Sequence, residues 1–398
     1  MPGSKATRIA DSLRERIAGA EWQESGVLPN ERDLSRAYGV ARNTIRRALM
    51  QLVLEGMLER HVGRGTTILC REPQDDNDLH RTVGQLLRIS PLDLMNMRMI
   101  LEPQTAAAAA MAAGQVELEH LAKVHRGFDA ISDRADLERM DWAFHSALAG
   151  ATRNTLLGYL QDILNTLAAG FSSEALGRKP ATEEMARIMQ QHGAIVEAIA
   201  ARDAEAAAEA MKQHLSVAAG TLLAGGMTLI ADTLQASAAP APRAPDRPGQ
   251  LLAIMRQISG TSPLDIMAVR QMIEPQVAAV AAANAREEDF ERLREAHETA
   301  LASTDIDGFE HWDGIFHKRL FESTRNDFLT ALHEVLYLIR TRDRWMQVKR
   351  RAFSEERRQR YCAEHEEIYR AITSRNTLAA AATMRRHMLS VSMFLFGR

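Results

Sequence analysis

Apolar residues in the N-terminal segment recur with the period of an α-helix. The positions that share this spacing are Ile9, Leu13 and Ile17, and then Ile45, Ala48, Leu49, Leu52 and Val53. They predict a first helix and a further one over about residues 42–55, with a short helix between them after Pro29. Because Gly39 permits a tight turn before the third helix, the pattern indicates a helix-turn-helix.

The polar face of the third helix and the segment after it carry groups suited to DNA. The helix exposes Arg42, Asn43, Arg46 and Arg47, whose side chains can bind base edges and phosphates. Two strand-like runs then flank residues 62–65, a flexible basic hairpin tip. These arginines could merely solvate a three-helix bundle, but the corner glycine, the basic helix and the basic hairpin together favour DNA binding.

Charge is distributed unevenly along the chain. Residues 1–72 contain 12 Lys and Arg against 9 Asp and Glu, a net charge of +3, whereas the whole chain of 398 residues has −3. The remainder therefore carries −3 − 3 = −6. A basic N-terminal segment on an acidic body indicates a nucleic-acid partner for that segment.

A long internal repeat follows the N-terminal segment. The sequence SPLDLMNMRMILEPQTAAAAAMAA at residues 90–113 recurs as SPLDIMAVRQMIEPQVAAVAAANA at residues 262–285, an offset of 172. We call residues 84–222 the first repeat and residues 250–394 the second repeat. Four prolines in ASAAPAPRAPDRPG, residues 236–249, predict a semi-extended linker between the repeats.

The composition favours a mainly α-helical protein. Ala, Leu, Met, Glu and Arg are abundant, and aromatic residues amount to 5%. Two distant cysteines, the lack of an apolar N-terminal leader and the short apolar stretch at 215–231 predict a cytoplasmic protein without a membrane partner. The predicted domains are a DNA-binding domain (1–72), a first helical sensor domain (80–226), a linker (227–249) and a second helical sensor domain (250–398).

Each repeat contains one aspartate and three histidines in matching positions. Asp141 and His145 share one face of a helix because they are four residues apart, and the second repeat has the same pair. Two further histidines follow in each repeat, separated by 22 residues. The candidate ligands are Asp141, His145, His192 and His214 in the first repeat, and Asp313, His317, His365 and His387 in the second.

One carboxylate and three imidazoles suit a divalent metal, with Zn favoured and Ni or Mn as alternatives. Each histidine could instead be a hydrogen-bonded polar group between helices. Six of the 13 histidines fall at equivalent positions of the two repeats, while the residues between them differ widely. We therefore predict up to two metal ions per chain.

Arg98 and Arg270 are also equivalent, each within an early helix of its repeat. A guanidinium there could hold an organic acid opposite the metal. The alternative is an ion pair within the helix with Glu102 or Glu274, four residues on. The sequence leaves both interpretations open.

Residues 28–68, LPNERDLSRAYGVARNTIRRALMQLVLEGMLERHVGRGTTI, resemble the winged helix-turn-helix of the GntR family of bacterial regulators. The resemblance covers about residues 5–70. It implies a homodimer on a short palindromic operator in double-stranded DNA. The contacts it implies fall on Arg32, Arg42, Thr44, Arg46 and Gly65, to which we add Asn43 and Arg64 on chemical grounds.

Each repeat resembles the all-helical FCD domain of one large GntR subfamily. The resemblance implies that the aspartate and three histidines bind a metal inside a helical bundle, and that a small carboxylate effector docks on it. It further implies that the effector controls DNA affinity, usually by releasing the operator, so a repressor is favoured over an activator. The family normally has one such domain per chain, whereas this chain has two.

The sequence is compatible with two other functions. Asp/His₃ sites can activate water, so the chain could be a metalloenzyme fused to a DNA-binding segment. The sequence has no HExxH motif, phosphate-binding glycine loop or Ser/His/Asp order, so we expect no enzyme activity. A further alternative is a regulator in which one repeat serves only dimerisation.

Overall fold

The computed structural model describes most of the chain. The described residues are 5–18, 22, 27–54, 58–61, 65–68, 76–131, 134–169, 182–233, 246–258, 261–303, 305–340, 349–350 and 353–397. The chain divides into two compact units, one of residues 1–80 with 295–316 and the other of residues 81–294 with 317–398.

The N-terminal segment forms three helices and a small antiparallel sheet. These elements are α1 (Lys5–Ala18), β1 (Val27–Leu28), α2 (Glu31–Tyr38), α3 (Arg42–Leu54), β2 (Leu58–His61) and β3 (Gly65–Ile68). The strand order is β1-β3-β2. Leu13, Leu34, Ile45 and Leu49 lie in one buried cluster, which confirms the predicted apolar faces. This arrangement is a winged helix-turn-helix.

The described residues of the first repeat region form seven α-helices. They are α4 (Asp76–Leu86), α5 (Pro91–Ala112), α6 (Gln115–Arg126), α7 (Arg134–Ala151), α8 (Thr155–Ala168), α9 (Thr182–Ala200) and α10 (Ala204–Thr233). Helix α5 packs against α7, α8, α9 and α10, so it is the central helix. Asp203 separates α9 from α10, and its side chain caps α10 by accepting a hydrogen bond from the amide of Ala206.

The second repeat has matching helices. In the described part they are α11 (Arg247–Ile258), α12 (Pro263–Asn284), α13 (Glu287–Ala302), α14 (Ile306–Glu322), α15 (Asp327–Arg340), α16 (Glu355–Thr373) and α17 (Thr377–Phe396). Helix α12 packs against α16 and α17, as α5 packs against α9 and α10. The central helices begin alike, since the Ser90 and Ser262 hydroxyls accept hydrogen bonds from the amides of Asp93 and Asp265. The predicted fold class, a winged helix-turn-helix followed by two all-α bundles, is confirmed.

Candidate DNA interface and metal centres

The residues predicted to read DNA lie at the start of α3. Arg42 begins the helix and is exposed together with Asn43, while Thr44 is half-buried. Gly39, at φ 61°, ends α2 in the left-handed region that favours glycine. The hydroxyl of Ser35 donates to the carbonyl of Val40 at 2.6 Å. These features fix the corner between the two helices, and so the direction of α3.

Two further arginines of this interface are exposed and have acidic neighbours. The guanidinium of Arg46, 58% exposed, donates to both carboxylate oxygens of Glu31 on α2, at 3.1 and 3.4 Å. This hydrogen bond raises the pKa of Arg46. Arg32 is 59% exposed and 3.7 Å from Asp33. Gly65 opens β3 opposite His61, whereas the prediction for Arg64 lies outside the described residues.

The four candidate ligands of the first repeat come together. Asp141 and His145 lie one turn apart on α7, His192 lies on α9 and His214 on α10. One ligand atom from each residue lies within 4.8 Å of the others. The Nε2 atoms of His145 and His214 are 3.3 Å apart, and Nε2 of His192 is 3.3 Å from Oδ1 of Asp141. All three histidines are at most 5% exposed.

This spacing fits a metal ion. With metal–nitrogen distances of roughly 2.1 Å, adjacent ligands in tetrahedral or octahedral geometry are roughly 3.0–3.4 Å apart. The His145–His214 separation falls in this interval. Three buried imidazoles with one half-buried carboxylate are also the donor set that borderline divalent metals prefer. The residues present therefore fit the metal.

The second repeat assembles an equivalent group. Asp313, His317, His365 and His387 are all buried, and their ligand atoms lie within 4.8 Å of one another. The Nε2 atoms of His365 and His387 are 3.2 Å apart. Their ring centroids are separated by 4.6 Å, as are those of the equivalent His192 and His214. Both groups predicted from the sequence are thus brought together by the fold.

A buried glutamate stands behind one histidine of each group. Nδ1 of His145 lies 2.9 Å from Oε2 of Glu102, and Nδ1 of His317 lies 2.7 Å from Oε2 of Glu274. Such partners orient the ring so that its other nitrogen faces the metal. From the sequence these glutamates were predicted only as partners of arginines, and their place beside the histidines was not predicted. Their agreement at the repeat offset of 172 is the signal that could have identified it.

Arg98 contacts both a glutamate of its own helix and a candidate metal ligand. Its Nε donates to Glu102 at 2.8 Å, as expected for an intrahelical ion pair, and its Nη2 lies 3.3 Å from Nε2 of His145. The guanidinium therefore also borders the candidate metal centre. Arg270 is 2% exposed and donates to Glu274 at 2.5 Å.

Burial and charge act against each other at the first group. Burial raises the pKa of Asp141, but the hydrogen bond with His192 and the neighbouring histidines outweigh it and leave the pKa low. Burial likewise raises the pKa of Glu102, but the charges and hydrogen bonds of Arg98 and His145 outweigh burial and leave the pKa low. Burial lowers the pKa of His214 to about 3, against the opposing effect of Asp141. Anionic carboxylates and neutral imidazoles are the forms that bind a metal.

Two features distinguish the second group. Nδ1 of His387 lies 2.8 Å from Oε2 of Glu364, whereas the equivalent His214 faces the amide oxygen of Gln191 at 3.2 Å. Lys349 is 8% exposed, and burial, with the charge of Arg270, lowers its pKa to about 7, opposed by Glu274. Lys349 was not predicted from the sequence, because an isolated lysine carries no pattern.

Comparison with known families matches all three parts of the chain. The model of bacterial regulatory proteins of the gntR family matches residues 5–68, and the FCD domain model matches residues 93–217 and 265–390. None of the helices in the described part of the chain combines the length and hydropathy that a membrane span requires.

Individual relatives are regulators. An Escherichia coli K12 regulator whose name assigns it to the L-lactate dehydrogenase operon is 30% identical over 54% of this chain and 85% of its own length. The HTH-type transcriptional regulator LutR of Bacillus subtilis is 27% identical over 50% of this chain and 93% of its own, and the Uxu operon regulator of Haemophilus influenzae is 28% identical over 52% and 78%. These families and relatives are transcriptional regulators and not enzymes, which answers the metalloenzyme alternative. The chain belongs to the GntR family of DNA-binding transcriptional regulators and carries the FCD domain twice.

Proposed function

We propose that this chain is a repressor whose affinity for a palindromic operator is controlled by a small carboxylate bound at the metal centres of its repeats. The observation that carries the proposal is the position of Arg98, whose Nη2 lies 3.3 Å from a candidate metal-binding nitrogen of His145. A carboxylate at this point would meet a guanidinium and a metal ion together, which is a strong anion site.

The winged helix-turn-helix of residues 1–72, which we call the head, binds DNA through α3. Arg42, Asn43 and Thr44 lie at its N-terminal end, where a recognition helix contacts base edges. On DNA, the Arg46 guanidinium would give up part of its ion pair with Glu31 and bind a base or a phosphate. Arg32, Arg64 and Gly65 complete the interface. Each chain has one such head, so a palindrome requires two chains. The regulator acts in the cytoplasm.

The metal is zinc by preference, with nickel or manganese as alternatives, held by the Asp/His₃ group of each repeat. When bound, it supplies a positive centre that polarises a coordinated carboxylate. Glu102 and Glu274 orient His145 and His317, while Arg98 and Arg270 compensate the charge of an incoming anion. Because both repeats assemble all four candidate ligands, both serve as sensors and neither is reserved for dimerisation.

The effector is a small organic acid. A relative's name associates that protein with the L-lactate dehydrogenase operon, and lactate is a member of this class. Effector binding shifts the helix packing of the repeats and lowers operator affinity. Because linkage is reciprocal, operator DNA must weaken effector binding by the same factor.

A thermal-shift screen of small organic acids, with and without zinc, tests the proposal. A stabilising acid should lose its effect after chelation, and it should release operator DNA from the loaded protein. The Arg98→Lys, Arg270→Lys double variant should retain zinc but respond about tenfold more weakly, since lysine lacks the paired donors. Stabilisation that persists after chelation, or operator binding unaffected by every stabilising acid, would refute the sensor mechanism.

A further inference from the structure

The two repeats contact each other through equivalent residues. Asn154, the N-cap of α8, donates from Nδ2 to the backbone carbonyl of Asp265 at 3.0 Å. Asn326, before α15, donates in the same way to the carbonyl of Asp93 at 3.2 Å. Since 154 + 172 = 326 and 93 + 172 = 265, the two bonds are the same contact made in opposite directions. Reciprocal contacts of this kind define a two-fold, isologous interface.

The surrounding helices repeat this relationship. Helix α5 packs against α15, the equivalent α12 packs against α8, and α5 and α12 pack against each other. Asn154 and Asn326 are 9% and 4% exposed. The hydroxyl of Thr155 also donates to Oδ2 of Asp265 at 2.8 Å. The interface is therefore built from helices and buried polar groups of both repeats.

We propose that the two repeats of one chain bind each other as a closed pair, so that a single chain forms a complete two-sensor body with one DNA-binding head. An isologous interface is saturated by two copies, and a third copy cannot join the same faces. Free chains are consequently monomeric. A palindromic operator then binds two heads from two different chains, an inference that rests on the proposed function. The two chains meet on the DNA and do not share the interface between repeats.

Two measurements test the pairing without DNA or effector. Light scattering of the full chain should give the monomer mass of 44.2 kDa. In a background of Cys70→Ala and Cys362→Ala, the Thr155→Cys, Asp265→Cys double variant should form a disulfide within one chain, seen by intact mass and by the cross-linked peptide. The two single-cysteine variants are the controls.

The possible results distinguish pairing of the repeats within one chain from pairing between two chains. A disulfide within a 44.2 kDa chain supports pairing of repeats in one chain. A disulfide that joins two chains, a stable mass twice as large, or no disulfide under oxidation would overturn the inference. None of these results depends on metal or operator binding, so a failed sensor mechanism would remain distinguishable from a failed pairing.

A separate observation concerns the unequal partners of the last histidine in each repeat. Nδ1 of His387 faces a carboxylate oxygen of Glu364 at 2.8 Å, while Nδ1 of His214 faces the amide oxygen of Gln191 at 3.2 Å. The positions are equivalent, because both pairs of residues differ by 173. A carboxylate behind a ligating imidazole makes it a more basic, better oriented ligand than an amide does.

We infer that the second repeat binds its metal more tightly than the first, so that the first is the exchangeable centre. This inference rests on the metal binding proposed above. The His192→Ala variant isolates the second centre and the His365→Ala variant isolates the first. Competition with a chromogenic chelator should give a zinc affinity at least about tenfold higher for the second centre, the lower end of the range for second-shell partners.

A matched exchange makes the test specific. Gln191→Glu should strengthen zinc binding at the first centre, and Glu364→Gln should weaken it at the second, so that the chain carrying both changes reverses the order of release. Equal affinities, or an order that the exchange leaves unchanged, would overturn this inference alone. Absence of zinc binding at both centres would instead refute the proposed metal sensor.

Discussion

Nδ1 of His145 lies 2.9 Å from Oε2 of Glu102, although the two side chains belong to different helices and both are buried. The same relationship holds in the second repeat at 2.7 Å. The glutamate also binds Arg98, and it therefore connects the proposed effector contact to a proposed metal ligand. A change at Arg98 or at His145 is therefore expected to affect the other residue through Glu102.

Replacement of this glutamate should weaken metal binding without removing a ligand. Because the partner orients the imidazole, Glu102→Gln in the His365→Ala background should lower zinc affinity at the first centre about 10–100-fold. Chelator competition measures the effect. The exposed Glu119→Gln on α6 is the matched control and should leave the affinity unchanged. An unaltered affinity in Glu102→Gln would show that the glutamate serves only Arg98.

Removal of one ligand from each centre should abolish metal loading. The His192→Ala, His365→Ala double variant should fall from as many as two zinc ions per chain to near zero, measured by elemental analysis. The exposed His120→Ala should keep the full content. Zinc that stays bound in the double variant would place it elsewhere in the molecule.

Arg46→Ala should reduce operator affinity, since a well-placed bidentate contact contributes about 1–3 kcal/mol. Fluorescence anisotropy with an operator duplex at fixed salt measures the loss, and zinc content should not change. Arg139→Ala on α7, with a side chain 70% exposed, controls for the loss of a surface charge. If the Arg46 variant binds the operator as well as the parent chain, α3 is not the reading helix.

The stability of the chain should rise with pH through the titration of Lys349. Burial lowers the pKa of this group to about 7 from an ordinary value of 10.5, so between these values the unfolded state binds more protons than the folded state. By linkage, stability increases as pH rises from about 7 to 10.5, and below 7 the full cost of the buried charge is present.

Lys349→Met removes this cost. Urea unfolding at pH 7.5 should show the variant more stable by about 3–5 kcal/mol at most, and the difference should shrink toward pH 10.5. Lys123→Met, which alters an exposed lysine of α6, should give a small difference that is independent of pH. A gain in Lys349→Met that is equal at both pH values would point to apolar packing as its cause.

The sequence by itself determined the local features of this protein. The period of apolar residues located α1 and α3, Gly39 marked the corner of the helix-turn-helix, and the four-residue spacing of Asp141 and His145 placed both on one face of α7. Internal duplication then selected the remaining ligands. All of these features follow from helix geometry or from comparison of the chain with itself. Neither of these two sources requires knowledge of how the helices pack.

The tertiary structure decided the remaining relationships. Strand β1 has two residues, too few for an alternating pattern, and is defined by its pairing with β3. The approach of Glu102 to His145, the unequal partners Gln191 and Glu364, and the reciprocal contacts between the repeats depend on helices far apart in sequence. Helix periodicity specifies which residues share a face, but it does not specify which faces meet. Tertiary packing decides which helices come together, so these relationships could not be predicted from the sequence.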